Sequence, residues 1–455
     1  MAAARSRRER SGFAGRTGLR GRLGSELMTS HTTTKPVRVL HIVGESRYGG
    51  AAKIILPLGQ IAQAEGWEVD ILATDPIFQH AVKKYGLGLL SLDVIRREIR
   101  PVWDLGGLAR LTRFLRTERY QIVHTHTSKA GFVGRLAARL AGVPVIVHTA
   151  HGFAFHEQSP ASVRRVYTAL ERLATRWCDR VISVSEFHRT WAIELGMCTP
   201  EQIMAIPNGI TDISRSREIA VAELRREMGA RNDDLVALSM ARLASDKGLE
   251  HLIEAAAIMP QKPRRIQVVI AGDGPEREHL EQVATRLGVN ERVKFLGFRE
   301  DVPDLLAASD MVVLPSLREG LSIAMLEAMA AGKPIVATNI GSQKEVAAHA
   351  DIARLVPPAD ARALSDAIQR LASDAQLMAQ LGSNARAVYE SRYTEHKMLD
   401  TYRQLYIDLL RAKCPRQAVR AVPVHHWGPG APEAPATQTY SELISTPRET
   451  KGGVL

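Results

Sequence analysis

The chain has 455 residues, 45% hydrophobic and 24% charged, with a net charge of +11. At roughly 150 residues per domain this allows two or three domains with ample core, which excludes disorder throughout. The three cysteines Cys178, Cys198 and Cys414 are an odd number in a long chain. That excludes a disulfide-stapled secreted module and favours a reducing, cytoplasmic setting. No run approaches the roughly 18 apolar residues needed to cross a bilayer, and the opening MAAARSRRER lacks the apolar stretch of a secretion signal, so an integral membrane protein is not expected.

The positive charge is unevenly placed: +5 on residues 1–28, +7 on 29–210, −2 on 211–413 and +1 on 414–455. One basic half suits an anionic surface better than the uniformly basic chain of a nucleic-acid binder, and no nucleic-acid partner is expected.

Residues 1–34 form an Arg-, Gly- and Ser-rich tail, expected to be disordered, within which Met28 is an alternative start. A first domain over 35–207 follows, in which VRVLHIV, EVDILAT, LLSLDV, QIVHTHT, VPVIVHT and RVISVS alternate with helical patterns. After Pro207, Asn208 and Gly209 a second series, LVALSM, IQVVIAG, VKFLGF, MVVLPS, PIVATNI and ARLVPP, marks a domain over 208–413. Helices are expected there over about 247–259 and about 322–331. Residues 414–455 carry the Pro-rich WGPGAPEAPATQ and read as a second disordered tail. Short β-branched runs alternating with helices predict the α/β class: two doubly wound parallel sheets facing across a cleft, with ligands at the carboxyl ends of the strands.

Two stretches carry chemistry at such ends. In MARLASDKGLE, Arg242 and Lys247 are cations at a strand-to-helix junction, a place suited to phosphate. In PSLREGLSIAMLEAMAAGKPIVAT, Glu319 lies in a loop and Glu327 inside the following helix. On one helix they would stand about 12 Å apart, too far for the paired carboxylates of a glycosidase, so an extended ligand held at two points fits better. The loop GESRYGGAAK lacks the G-x-G-x-x-G of a nicotinamide site. The histidines His124, His126, His148, His151 and His156 cluster, yet no cysteine or carboxylate stands at ligand spacing. Polar lining of an acceptor cleft, above all by His124 and His126 on one strand face, is expected over zinc. Arg110, Arg113 and Arg116 fit the solvated face of a helix, whereas Arg96, Arg97 and Arg100 beside Trp103 suit contact with an anionic membrane.

The E-x7-E arrangement Glu319 to Glu327 resembles the signature of the family 4 retaining glycosyltransferases of the two-Rossmann-domain GT-B fold. The glycine loop with Gly49 and Gly50, the pair His151-Gly152, IPNGI, ARLASDKG and AGDGPER match in order, over about residues 37–413. HTHTSKAGFVGRLAARLAGVP followed by HTAHGFAFH is similar to bacterial transferases for exopolysaccharide, O-antigen or lipid-linked saccharides. The resemblance implies transfer from a nucleoside-diphosphate sugar, with UDP favoured, to a saccharide or lipid-linked acceptor in the cytoplasm or at the inner membrane face. It assigns Arg242 and Lys247 to the diphosphate, Glu327 to the ribose, and Glu319 with the amides of Gly320, Leu321 and Ser322 to the donor sugar. His151 would meet the sugar, Gly50 the phosphates, and Phe298 with Arg299 the base. No metal or other cofactor is implied, and no D-x-D occurs. An epimerase or glycoside phosphorylase on the same fold is the alternative. Gly341-Ser342 departs from the Gly-Gly pair of many members, and the last helix is open to crossing back onto the first domain.

Overall fold

The computed structural model describes residues 36–44, 49–96, 101–156, 159–213, 221–231, 233–260 and 264–415. The first tail, the second tail beyond Pro415, Arg97 and Arg100 lie outside these.

The first half builds a seven-stranded sheet from β1 (Arg38–Gly44), β2 (Glu68–Ala73), β3 (Gly88–Leu90), β4 (Ile122–His126), β5 (Val145–Ala150), β6 (Arg180–Ser183) and β7 (Ile203–Ala205). Its helices are α1 (Ala52–Ala64), α2 (Pro76–Lys84), α3 (Pro101–Glu118), α4 (Ser128–Ala141), α5 (Ala161–Thr175) and α6 (Glu186–Glu194). All strand pairs are parallel, in the order β3-β2-β1-β4-β5-β6-β7. Every residue of β4 and β5 is buried, because helices cover both faces, and that is why these strands read as continuous runs.

The second half repeats the plan with α7 (Val221–Glu227), β8 (Leu235–Met240), α8 (Leu249–Ile258), β9 (Ile266–Ala271), α9 (Arg277–Arg286), β10 (Val293–Gly297) and α10 (Val302–Ala308). It continues through β11 (Met311–Leu314), α11 (Ile323–Ala330), β12 (Ile335–Thr338), α12 (Gly341–Ala347), β13 (Ala353–Val356), α13 (Ala361–Ala372), α14 (Ala375–Arg392) and α15 (Glu395–Lys413). The strand order is β10-β9-β8-β11-β12-β13, again parallel.

The chain crosses between halves twice, at Ile210 and Thr394, which pair as a parallel bridge. The second crossing delivers α15 to the first half. Its Met398, Tyr402, Tyr406 and Leu410 join the apolar cluster formed by β1, β2 and α1, and Arg403 pairs with Glu65 at 2.5 Å. This return places a row of tyrosine hydroxyls against the first sheet, which decides what the buried histidines do.

Candidate active site

Strand order reverses between β1 and β4 in one sheet and between β8 and β11 in the other. Side chains following those four strands stand at the two switch points, where a doubly wound sheet opens a crevice. A cavity of about 530 Å³ lies between them, lined among others by Thr127, His151, Glu319, Gly320, Asn339 and Ser342.

From the second half, Arg242 follows β8, and a 3-10 turn over Ser245–Lys247 precedes α8. Lys247 Nζ bonds the Glu319 carboxylate at 2.6 Å, and the Ser316 hydroxyl donates to the same oxygen at 3.0 Å. Arg242 stands 3.7 Å from Asp246 and is about half exposed. The Ser342 hydroxyl donates to the Glu319 carbonyl at 3.1 Å, so the Gly341-Ser342 variant ties its loop directly to the Glu319 loop. Glu327 lies within α11, 9% exposed at its side chain, and Lys53 from the first turn of α1 reaches across the cleft to it at 2.5 Å.

The first half supplies neutral groups. His151 Nε2 and His126 Nδ1 share a hydrogen bond at 3.1 Å, and His126 Nε2 and His41 Nδ1 share another at 3.1 Å. Burial pushes His41 and His151 down to about 4 and His126 well below its ordinary value, so at pH 7 the file is uncharged. His188, also pushed down to about 4 by burial, bonds the Ser185 hydroxyl at 2.8 Å and meets the Gly320 backbone.

The halves touch closely at Gly320, Gly50 and Gly341, the last with a Cβ position 2.2 Å from the Phe187 ring. A Cβ on Gly320 would stand 1.9 Å from the His151 carbonyl oxygen, so only glycine lets the Glu319 loop reach His151. A Cβ on Gly50 would lie 3.1 Å from Ile323 at the start of α11. A further tie comes from Glu345, whose carboxylate accepts from the amides of Glu186 at 3.0 Å and Phe187 at 2.7 Å, capping α6 from the opposite half.

Of the expected site residues, the two histidines of β4 depart from expectation. His124 does not line an acceptor cleft: it is fully buried, with Nδ1 on the Tyr406 hydroxyl at 2.5 Å and Nε2 on Thr149 at 2.8 Å. His126 is buried as well and meets the cavity only through His151. The return of α15 over this strand face is the reason. Leu321 is buried and the Ser322 hydroxyl accepts from Met325 N at 3.3 Å as the cap of α11, so these residues would act, as expected, through their backbone amides and not their side chains. Arg299 is held by Asp301 at 2.5 Å and by Glu227, while Phe298 is partly exposed at the end of β10. The Trp103 ring meets the guanidinium groups of Arg96, at 4.5 Å, and Arg110, at 5.5 Å.

His41, His124 and His126 bring ligand atoms within 4.8 Å of one another. A metal there would have to displace hydrogen bonds that these rings already make, although His41 Nε2 is buried without a partner among the described residues. Both nitrogens of His124 are committed to hydroxyls, His41 and His126 share a bond, and no carboxylate in the trio offsets a buried cation. Sequence reasoning missed Lys53, His41, His188 and Glu345. A signal existed for Lys53: a cation in the first turn of a helix opposes the helix dipole unless a carboxylate claims it.

The pattern of the glycosyl transferases group 1 matches residues 221–388, and that of the glycosyl transferase 4-like domain matches residues 49–209. The protein EpsD of Bacillus subtilis is 30% identical over 365 residues, covering 78% of this chain and 93% of that protein. The chain is a family 4-like glycosyltransferase of the GT-B fold. A second relative is the UDP-Gal:alpha-D-GlcNAc-diphosphoundecaprenol alpha-1,3-galactosyltransferase of Escherichia coli, 29% identical over 83% of this chain and 99% of its own. Among solved structures, Anabaena HepE in complex with UDP and glucose superposes with a TM-score of 0.71 at 25% identity, covering 82% of this chain and all of that one. The glycosyltransferase's two matched patterns correspond to its two sheets, and the cavity lies where they meet.

Proposed function

We propose that this glycosyltransferase moves a sugar from a UDP-sugar to a lipid-linked saccharide, with retention at the anomeric carbon and without a metal, as a peripheral protein of the inner face of the cytoplasmic membrane. The observation that carries this reading is the set of cation–carboxylate pairs at the cleft, Lys247–Glu319 and Lys53–Glu327, with Arg242 beside them. A diphosphate takes Arg242 and Lys247, whose fixed charges stabilise the leaving group as a metal would. The ribose hydroxyls take the oxygens of Glu327 that Lys53 now occupies. Glu319, released from Lys247 by the diphosphate, bonds hydroxyls of the donor sugar, and neutral His151 faces the same sugar without placing a positive charge beside a carbon that itself becomes positive. The acceptor hydroxyl attacks C1 from the face the diphosphate leaves; the C1–O bond to phosphate breaks, the new C1–O bond forms, and the leaving phosphate oxygen takes the acceptor's proton. The UDP complex of HepE and the diphosphoundecaprenol acceptor of the Escherichia coli relative support the choice of donor and acceptor class.

The test is turnover of a UDP-sugar panel with a lipid-linked saccharide in EDTA, with the anomeric configuration of the product read by NMR. Retained configuration and undiminished rate are expected. An inverted product would overturn the retaining mechanism, and complete loss restored by magnesium or manganese would overturn metal independence.

A further inference from the structure

Helix α5 is inside out. Its inward side carries Arg164, Tyr167, Thr168, Glu171 and Thr175, with Ala174 its one small apolar residue there. Its outward side carries Val163, Val166, Leu170 and Leu173, with Val166 58% and Leu170 41% exposed. Glu171 is turned inward by Arg135 of α4, which is wholly buried and bonds it at 2.8 Å. A surface helix ordinarily turns the apolar stripe toward the core. Here the spacing i, i+3, i+7, i+10 gives a continuous stripe, and it faces away from the protein.

The stripe is not isolated. Helices α3, α4 and α5 pack side by side on one face of the first sheet, opposite α1 and α15. Seven of the twelve large exposed apolar side chains among the described residues belong to this layer, including Val102 and Leu105 of α3 and Leu140 of α4. Such concentration on one face marks a contact surface, where the same number scattered would not.

Charge selects the occupant. Residues 161–176 hold four arginines and one glutamate, and that glutamate is consumed inward by Arg135. By helical angle, Arg165, Arg172 and Arg176 form a basic row alongside the apolar stripe, all three exposed; Arg172 donates to the carbonyls of Gly196 at 2.6 Å and Leu195 at 3.2 Å, so Arg165 and Arg176 are the pair assigned to a partner. A second copy of the chain docking stripe to stripe would bring two such rows together. An anionic lipid surface instead accepts the apolar side chains at its acyl boundary and the guanidinium groups at its headgroups. The placement is also apt: α5 follows β5, whose carboxyl end carries His151, and Phe155 and His156 of the intervening segment line the cavity.

We propose that α5 is the membrane-docking element, lying in the interface of an anionic bilayer with Val163, Val166, Leu170 and Leu173 inserted and Arg165 and Arg176 on the headgroups. The inference rests on the peripheral location proposed above and specifies the face responsible. It replaces Arg96 and Trp103 as the main contact, since Asp93 and Arg96 form an ion pair and Trp103 is half-buried against Arg96 and Arg110.

The full chain is sedimented with vesicles of phosphatidylcholine alone and with about 30% phosphatidylglycerol. The wild type should bind the anionic vesicles, and both Val166→Glu/Leu170→Glu and Arg165→Glu/Arg176→Glu should reduce binding about tenfold or more. Neither pair touches the cleft, so the far-ultraviolet dichroism and UDP affinity of both variants should match the wild type. If the wild type binds and Val166→Glu/Leu170→Glu binds equally well, α5 is not the contact and the peripheral reading stands. If the wild type binds no vesicle, both fail. A wild-type dimer in lipid-free light scattering, dissociated by Val166→Glu/Leu170→Glu, would overturn the assignment in favour of self-association.

Discussion

At the carboxyl end of the second sheet the functional side chains are charged and paired, as in Lys247–Glu319 and Arg242–Asp246. At the corresponding end of the first sheet stands a file of uncharged imidazoles, His41, His126 and His151. The two sheets share a winding and differ in what burial allows. Arg242 is about half exposed and keeps its charge at low cost, whereas the histidines of β1 and β4 lie beneath α15, where a charged ring would be desolvated without a counter-ion. A site so divided presents charge to a diphosphate and neutral hydrogen-bonding groups to a sugar.

Acid should break this contrast most severely. Burial lowers His41, His151 and His188 to about 4 from 6.5. Between those values the unfolded chain binds protons that the folded one does not, so stability is fully present above about pH 6.5 and is lost as pH falls toward 4. Each ring contributes roughly 3 kcal/mol to that loss. Melting temperature recorded from pH 7.5 to 4 should fall steeply below 6.5, and a flat profile would mean that these rings are not buried neutral.

Next in size is Glu319→Gln, expected to lower kcat about 10²-fold or more while UDP binding stays near wild type, because its partner in the account is the sugar. Comparable loss of UDP affinity would exchange the roles of the two glutamates. Glu327→Gln should weaken UDP by about 1.5 kcal/mol and leave inorganic pyrophosphate unaffected, since only the nucleotide carries ribose. Titration calorimetry with both ligands checks this, and equal weakening of both would remove Glu327 from the ribose. Smallest is Glu345→Gln, which weakens a helix cap supplied across the cleft and should cost about 1 kcal/mol in denaturant unfolding with UDP affinity retained. An unchanged midpoint would show that the tie between α12 and α6 contributes nothing to stability.

What was legible in the sequence follows the range of the interactions concerned. The runs of β4, β5, β8 and β9 are unmistakable, since strands buried on both faces carry no alternation. The edge strand β7, three residues long, has too little pattern to be seen and was not expected. Arg242, Lys247 and Glu319 lie near one another because short loops deliver them to one switch point, so their grouping is visible in the motifs. Lys53 and Glu327 are separated by 274 residues, and nothing local announces their pairing. His124 is the instructive error. Its strand face was read properly, but that face meets Tyr406, 282 residues onward, in place of an open cleft. Helix α5 has an evident amphipathic period, and the sequence alone does not tell which side is outward; the Arg135–Glu171 pair does.

In the proposed function the second half holds a nucleoside diphosphate through fixed cations. Calorimetric titration of UDP into the wild type and Lys247→Ala, both in EDTA, tests it most directly. Wild-type binding should be unaffected by the chelator, and the variant should bind more weakly by about 1.5–3 kcal/mol, the value of a charge-assisted hydrogen bond. Equal affinity of the two proteins, or wild-type binding that appears only on addition of a divalent metal, would contradict it.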